Sequence, residues 1–134
     1  DKIILFYKKF KKPFFASNLY NFFNNQYPGG IGAEVFGFNF LDDLHNMKLS
    51  KLNKEHPHLN FFDYKKNKIV NKKWCNVRTI KCPKKFRRPD IHLNVDTIND
   101  YKYIKNIYEN LYPKNPKFKI TDIINYLDKK NEKK

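Results

Sequence analysis

The chain alternates between two hydrophobic periods, and few folds accept that alternation. Short apolar or β-branched runs at 14–18, 33–38, 68–74, 76–82 and 91–95 read as strands. Stretches of helical spacing lie among them. Residues 2–10 place Ile3, Ile4, Phe6, Tyr7 and Phe10 at helical intervals, with Lys8 and Lys9 facing away and Pro13 ending the helix. Asn39 is a good N-cap, with Asp42 three residues on, for a helix whose inner face is Phe40, Leu41, Leu44 and Met47. A short helix is expected over 55–62. Thr97 caps a further helix, with Asp100 as the capping-box acid and Ile98, Tyr101, Ile104, Tyr108 and Leu111 on one face. Pro113 and Pro116 stop it, and Ile120, Ile123, Ile124 and Leu127 begin another. Strands alternating with helices predict an α/β fold with a mixed, mainly parallel sheet flanked by helices.

Length and charge narrow the class further. A chain of 134 residues fits one domain, and such a domain buries roughly two thirds of its unfolded surface without disulfides. Residues 1–128 are expected to form that domain, and 129–134 a frayed basic tail. Hydrophobic residues at 40% and aromatics at 17% exclude a disordered chain, despite a net charge of +15. Of the 28 cations only Arg78, Arg87 and Arg88 are arginine. Lysine rises together with Asn, Ile, Phe and Tyr, all of A/T-rich codons, so the charge follows codon bias. Readers of bases and phosphates lean on the bidentate arginine fork, so nucleic acid is not the expected partner. No apolar run is long enough to span a membrane. The N-terminus lacks a signal pattern, which predicts a cytoplasmic protein. The chain begins at Asp1 without an initiating Met.

A few residues carry possible chemistry. Cys75 and Cys82 are seven apart, neither a CxxC pair nor a zinc pattern, and are expected to be free thiols. In Glu55-His56-Pro57-His58 the proline separates the imidazoles, which disfavours a metal and leaves His56 as a substrate contact. Pro28-Gly29-Gly30-Ile31-Gly32 is a turn in which backbone at Gly30 approaches a ligand closely; it is not a P-loop. Glu34 is an acid in an otherwise apolar strand, and a buried carboxylate needs a partner. Asp96 sits where a strand ends and a helix begins, the place at which open α/β sheets bind ligands. Its oxygens, with those of Asp100, suit Mg²⁺.

Three stretches in order resemble one family. Tyr27-Pro28-Gly29-Gly30-Ile31-Gly32-Ala33-Glu34-Val35-Phe36 is similar to its Pro-x-Gly-x-x-x-Glu-Val strand. Lys54-Glu55-His56-Pro57-His58 resembles its Arg-Glu-His-Val-Thr stretch. Arg87-Arg88-Pro89-Asp90-Ile91-His92-Leu93-Asn94-Val95-Asp96-Thr97-Ile98-Asn99-Asp100-Tyr101 resembles its Arg-Leu-Thr-Val-Asp-Thr-Pro-Glu-Asp-Phe/Tyr run. The family is the cytidylyltransferases of the acylneuraminate type, nearest the spore coat polysaccharide biosynthesis protein F branch. The chain departs from its pattern at Gly32, Lys54, His58 and His92.

The resemblance covers the C-terminal half of the family. It implies a fragment of a Rossmann-like, GT-A-like three-layer fold, inactive alone because the CTP-binding half is absent. Such enzymes join CTP to an acidic or modified sugar, giving a CMP-sugar and pyrophosphate for surface polysaccharide synthesis. The resemblance implies a Mg²⁺ cofactor with Asp96, and Asp100 beside it, as ligands, a sugar pocket lined by Gly30, Glu34 and His56, and a homodimer. The alternative expectation is a basic module that binds nucleic acid or another polyanion through lysine-flanked aromatics such as Tyr7, Phe10 and Tyr64.

Overall fold

The computed structural model describes residues 2–10, 14–19 and 22–132. Pro13, and Lys133 and Lys134 of the expected tail, lie outside the described residues. The chain is mixed α/β and divides into two compact units, one of Asp1–Asn25 with Gly32–Lys81, the other of Gln26–Ile31 with Cys82–Lys134.

The first unit is built on strand β1 (Phe14–Ser17), every residue of which is buried. β1 pairs antiparallel with β2 (Glu34–Val35), setting Ala16 opposite Val35 and Ser17 opposite Glu34. It pairs parallel with β5 (Asn76–Thr79), from Phe14 opposite Asn76 to Ser17 opposite Thr79. Alternate side chains leave a strand on opposite faces, so β1 serves two apolar clusters. Phe14 and Ala16 pack with Ile3, Phe6 and Tyr7 of helix α1 (Lys2–Lys8). Phe15 faces the larger cluster of Phe22, Phe40, Leu44, Phe61, Phe62, Cys75 and Val77. There Phe61 is sandwiched between Phe15, at 4.6 Å and 9°, and Trp74, at 5.1 Å and 8°. Full burial of each such ring contributes about 1.5–3 kcal/mol.

Helix α2 (Phe38–Asn46) buries Phe40 and Leu44, while Leu41 and Met47 are exposed. Its N-cap is Gly37 in extended conformation, not Asn39, and it has no side-chain cap. The helix starts before the polar residue predicted to cap it, which moves Asp42 beyond the capping-box position. Helix α3 (Lys51–Glu55) begins earlier than expected because the Ser50 hydroxyl accepts the Asn53 N–H. Pro57 then opens a 3-10 turn, Pro57–Asn60, at whose first position its missing N–H costs nothing. The strand expected over 68–74 shrinks to β4 (Lys68–Ile69), paired antiparallel with β3 (Phe62–Asp63). Asn67 at φ +49° turns the hairpin, and Asn71 accepts the N–H groups of Lys73 and Trp74 in a further turn that ends the run.

The second unit holds helices α4 (Ile98–Leu111) and α5 (Ile120–Asn131) over a core of Ile91, Ile107, Ile124 and Leu127. Thr97 and Asp100 form the expected capping box. The face of α4 differs from the prediction. Ile104, Ile107 and Leu111 pack inward, whereas Ile98, Tyr101 and Tyr108 are exposed. The expected strand at 91–95 is a single parallel bridge between Gly29 and His92. Besides the local Ile91 N–H bond to the Arg88 carbonyl, its backbone meets the short loop around Gly29, with bonds from Gly29 N–H to Ile91 and from Leu93 N–H to Gly29. Arg88 clasps Asp90 and reaches Asp128 on α5. α5 continues through Lys129 and Lys130 to Asn131, so the predicted tail is helical that far. Lysines suit the negative end of a helix dipole.

Candidate functional site

The register of β1 and β2 puts one carboxylate in an apolar setting. Ser17, wholly buried, lies opposite Glu34, whose side chain is only 26% exposed. His58, on the 3-10 turn, brings Nδ1 to 3.5 Å from Glu34 Oε1. Tyr64, just after β3, directs its hydroxyl toward Glu34 and Ser17. Solvent reaches neither Glu34 Oε1 nor the Tyr64 hydroxyl, and neither makes a well-formed hydrogen bond. Native interiors rarely leave such atoms unsatisfied.

The electrostatics follow from burial. Loss of water pushes the Glu34 carboxyl up to about 7, with the facing Tyr64 hydroxyl offsetting part of the rise. Burial, then the nearby Glu34 charge, pushes the Tyr64 phenol up. Burial lowers His58, and His56 adds to the effect. A carboxyl that titrates near neutrality beside an imidazole has the range of a general acid or base. The Tyr64 hydroxyl and the Glu34 carboxyl face each other in this buried setting.

The other predicted residues are distributed differently. His56 ends α3, with its Nε2 3.9 Å from Glu55 and its ring centroid 5.6 Å from that of His58. The structure therefore brings His58, not His56, against Glu34. Gly30 belongs to the second unit, at φ +83°. A Cβ there would lie 2.6 Å from Asn94 N and from Leu93 carbonyl carbon, so only glycine lets these two backbones approach.

Asp96 and Asp100 were tested as a Mg²⁺ site. Asp100 Oδ2 already accepts from the Thr97 N–H at 2.8 Å, the Thr97 hydroxyl at 2.8 Å and the Asp96 N–H at 3.2 Å. These bonds, led by the Thr97 hydroxyl, hold its carboxyl below the usual carboxylate range. The Asp96 carboxylate accepts from the Asn94 side-chain amide. Both acids stand at the positive end of α4, where a cation is disfavoured. Among the described residues no group of three or more His, Cys, Asp or Glu is arranged to hold a metal ion. The pair does not fit Mg²⁺, and no chemistry is routed through it.

The remaining reactive groups are otherwise engaged. Cys75 and Cys82 form no disulfide and are buried, and burial pushes the Cys75 thiol up to about 11, far from a reactive thiolate. All three arginines make internal contacts: Arg78 lies 4.2 Å over the Phe10 ring, Arg87 Nε donates to the Cys82 carbonyl, and Arg88 is held by two aspartates.

Sequence reasoning singled out Glu34 and its need of a partner but missed Tyr64 and Ser17. The signal was available in part: an acid in an apolar strand requires polar neighbours, and Tyr64 is a polar-tipped ring just after the next strand. No protein-family model matches the chain, nor does any curated protein or solved structure.

Proposed function

We propose that this chain supplies the sugar-binding side of a sugar cytidylyltransferase, which joins CTP to an acidic or modified sugar and releases pyrophosphate. The observation that carries the reading is the meeting of Glu34 and His58. Glu34 lies in one stretch that resembles the family, and His58 ends another at a position where the family has Thr; the two stand 3.5 Å apart in space while 24 positions apart in sequence. A carboxyl that titrates near 7 is suited to accept a proton from an attacking hydroxyl.

On this reading the three-stranded sheet is one part of a larger GT-A-like, Rossmann-like layer. The groups that bind the CTP phosphates, and any Mg²⁺, come from outside the residues seen here. The main contribution of this chain is to hold and orient the acceptor, which lowers the barrier by proximity.

The test is pyrophosphate release from CTP over a panel of acidic, amino and neutral sugars, using the full reading frame that contains this chain. Turnover is expected with at least one sugar. Glu34→Gln should raise its KM roughly tenfold, the equivalent of about 1.4 kcal/mol of binding, and leave the KM for CTP unchanged. The 134-residue chain alone is expected to show no turnover. Absence of release with every sugar, or equal effects of Glu34→Gln on both KM values, would sink the proposal.

A further inference from the structure

The β3–β4 hairpin and the turn after it concentrate charge beyond what codon bias supplies. Five of the nine positions from 65 to 73 are lysine, against 25 of 134 in the whole chain. All five, Lys65, Lys66, Lys68, Lys72 and Lys73, are exposed. Lys66 approaches Asp63 at 3.7 Å, and none of the other four makes an ion pair among the described residues. Their backbone is ordered by local bonds. Asp63 Oδ1 accepts the Lys66 N–H at 3.0 Å, and Asn71 Oδ1 accepts those of Lys73 and Trp74 at 3.1 and 3.2 Å. Ordered turns reduce the entropy lost when these lysines meet a partner. Amid them Val70 is 53% exposed, an apolar side chain in a basic surface.

Two features select among anionic partners. Single-stranded nucleic acid is held by stacking on free aromatic faces and by arginine. The hairpin has no arginine. Its flanking rings are already used. Tyr64 packs against Phe22, Phe62 and His58, and Trp74 stacks on Phe61. What remains is a cluster of compact, hydrated point charges around one small apolar group. That combination suits a field of lipid headgroups, which needs neither stacking nor a planar fork.

We propose that the β3–β4 hairpin and its following turn dock the protein on an anionic lipid surface, with the lysines against the headgroups and Val70 at the acyl boundary. The docking is peripheral and needs no spanning helix; among the described residues no helix is long and apolar enough to cross a membrane. It is independent of the cytidylyltransferase reading.

The experiment is co-sedimentation with phosphatidylcholine vesicles, with and without about one third phosphatidylglycerol, at about 0.1 M salt. Because the chain carries +15 overall, two variants of equal charge are compared. One combines Lys65→Gln, Lys66→Gln, Lys68→Gln and Lys72→Gln. The other combines Lys102→Gln, Lys114→Gln, Lys117→Gln and Lys119→Gln. Each lysine at an anionic surface is worth roughly fivefold in binding, so the hairpin variant should lose between about 25-fold, with two of its four lysines in contact, and about 600-fold, with all four. The control should lose clearly less, because its lysines lie outside the proposed docking hairpin. A fluorophore on Val70→Cys should shift to the blue on adding anionic vesicles, which reports contact without removing any charge.

Inorganic phosphate at the concentration of lipid phosphate should not displace the protein, and a uridylate oligonucleotide should bind both variants alike. Equal losses in the two variants, no binding to anionic vesicles, or an unshifted fluorophore overturns the proposal. So does displacement by phosphate alone, or oligonucleotide binding that depends on the hairpin lysines.

Discussion

Replacing Glu34 by glutamine tests the buried-carboxyl argument through stability, without any substrate. Its carboxyl rises from 4.5 to about 7 on folding. At about 1.4 kcal/mol per pH unit this difference corresponds to about 3 kcal/mol. The side chain is 26% exposed, and screening by water reduces the usable effect to roughly 1–2 kcal/mol. The sign follows from proton counting. Between 4.5 and 7 the folded state holds the proton more tightly than the unfolded state, so wild-type stability falls as pH rises through that window. Glutamine does not titrate, so Glu34→Gln should gain on wild type by roughly 1–2 kcal/mol between about pH 5 and about pH 8. His58 is shifted down by burial and contributes the opposite slope, but it is present in both proteins and largely cancels in the difference. Urea unfolding followed by Trp74 fluorescence is the assay, because Trp74 packs on the core of the same unit. A stability difference that does not change with pH refutes the reasoning. A variant that loses ground as pH rises also refutes it, and would point to an ionised Glu34–His58 pair instead.

Three further outcomes follow from geometry described above. Gly30→Ala places a Cβ 2.6 Å from backbone atoms at φ +83°; it should cost about 1–2 kcal/mol from the backbone conformation alone and more from the clash. Gly30→Asn tolerates the left-handed conformation but keeps the clash, so denaturation curves showing full recovery would discredit the close approach. Thr97→Ala removes the hydroxyl that accepts the Asp100 N–H and should destabilise by about 1 kcal/mol, read by thermal melting with far-ultraviolet circular dichroism. Phe61→Ala empties the space between Phe15 and Trp74; it should cost about 3–5 kcal/mol and alter Trp74 emission, and a loss under about 1 kcal/mol would mean that the stack is not tightly packed.

Elements that depend on a few neighbouring residues were the legible ones. The capping box of Thr97 and Asp100, the buried run at β1 and the apolar stripe of α5 are local patterns, and each forms as read. Elements that depend on distant partners were not. Residues 91–95 alternate well enough for a strand, but their long-range pairing is with the loop at Gly29, and there they make a bridge. Of the predicted face of α4, Ile104 and Leu111 pack inward together with Ile107, while Ile98, Tyr101 and Tyr108 hold helical spacing yet stay exposed. At the candidate site the same division holds. Glu34 stood out from its own strand. Tyr64 and Ser17 acquire a role only through the pairing of β1 with β2 and the hairpin that follows, and no spacing rule links positions 17, 34, 58 and 64. His58 rather than His56 meets Glu34 because the turn at Pro57 redirects alternate side chains.

The chain leaves its first unit after Asn25, lends six residues, Gln26–Ile31, to the second, and returns for Gly32–Lys81. That detour imposes an order on synthesis. The Gln26 carbonyl waits for the Arg88 N–H, and Gly29 waits for Ile91 and Leu93, all about sixty residues later on a ribosome that delivers roughly 5–20 residues each second. For several seconds the segment has no native partner, and the second unit cannot close until the first is fully translated. A separately expressed piece starting at Cys82 would lack these bonds, leaving the Leu93 N–H without its Gly29 acceptor and the Arg88 N–H with the Phe86 carbonyl alone. The boundary at residue 82 is therefore a seam in space that does not serve as a place to cut.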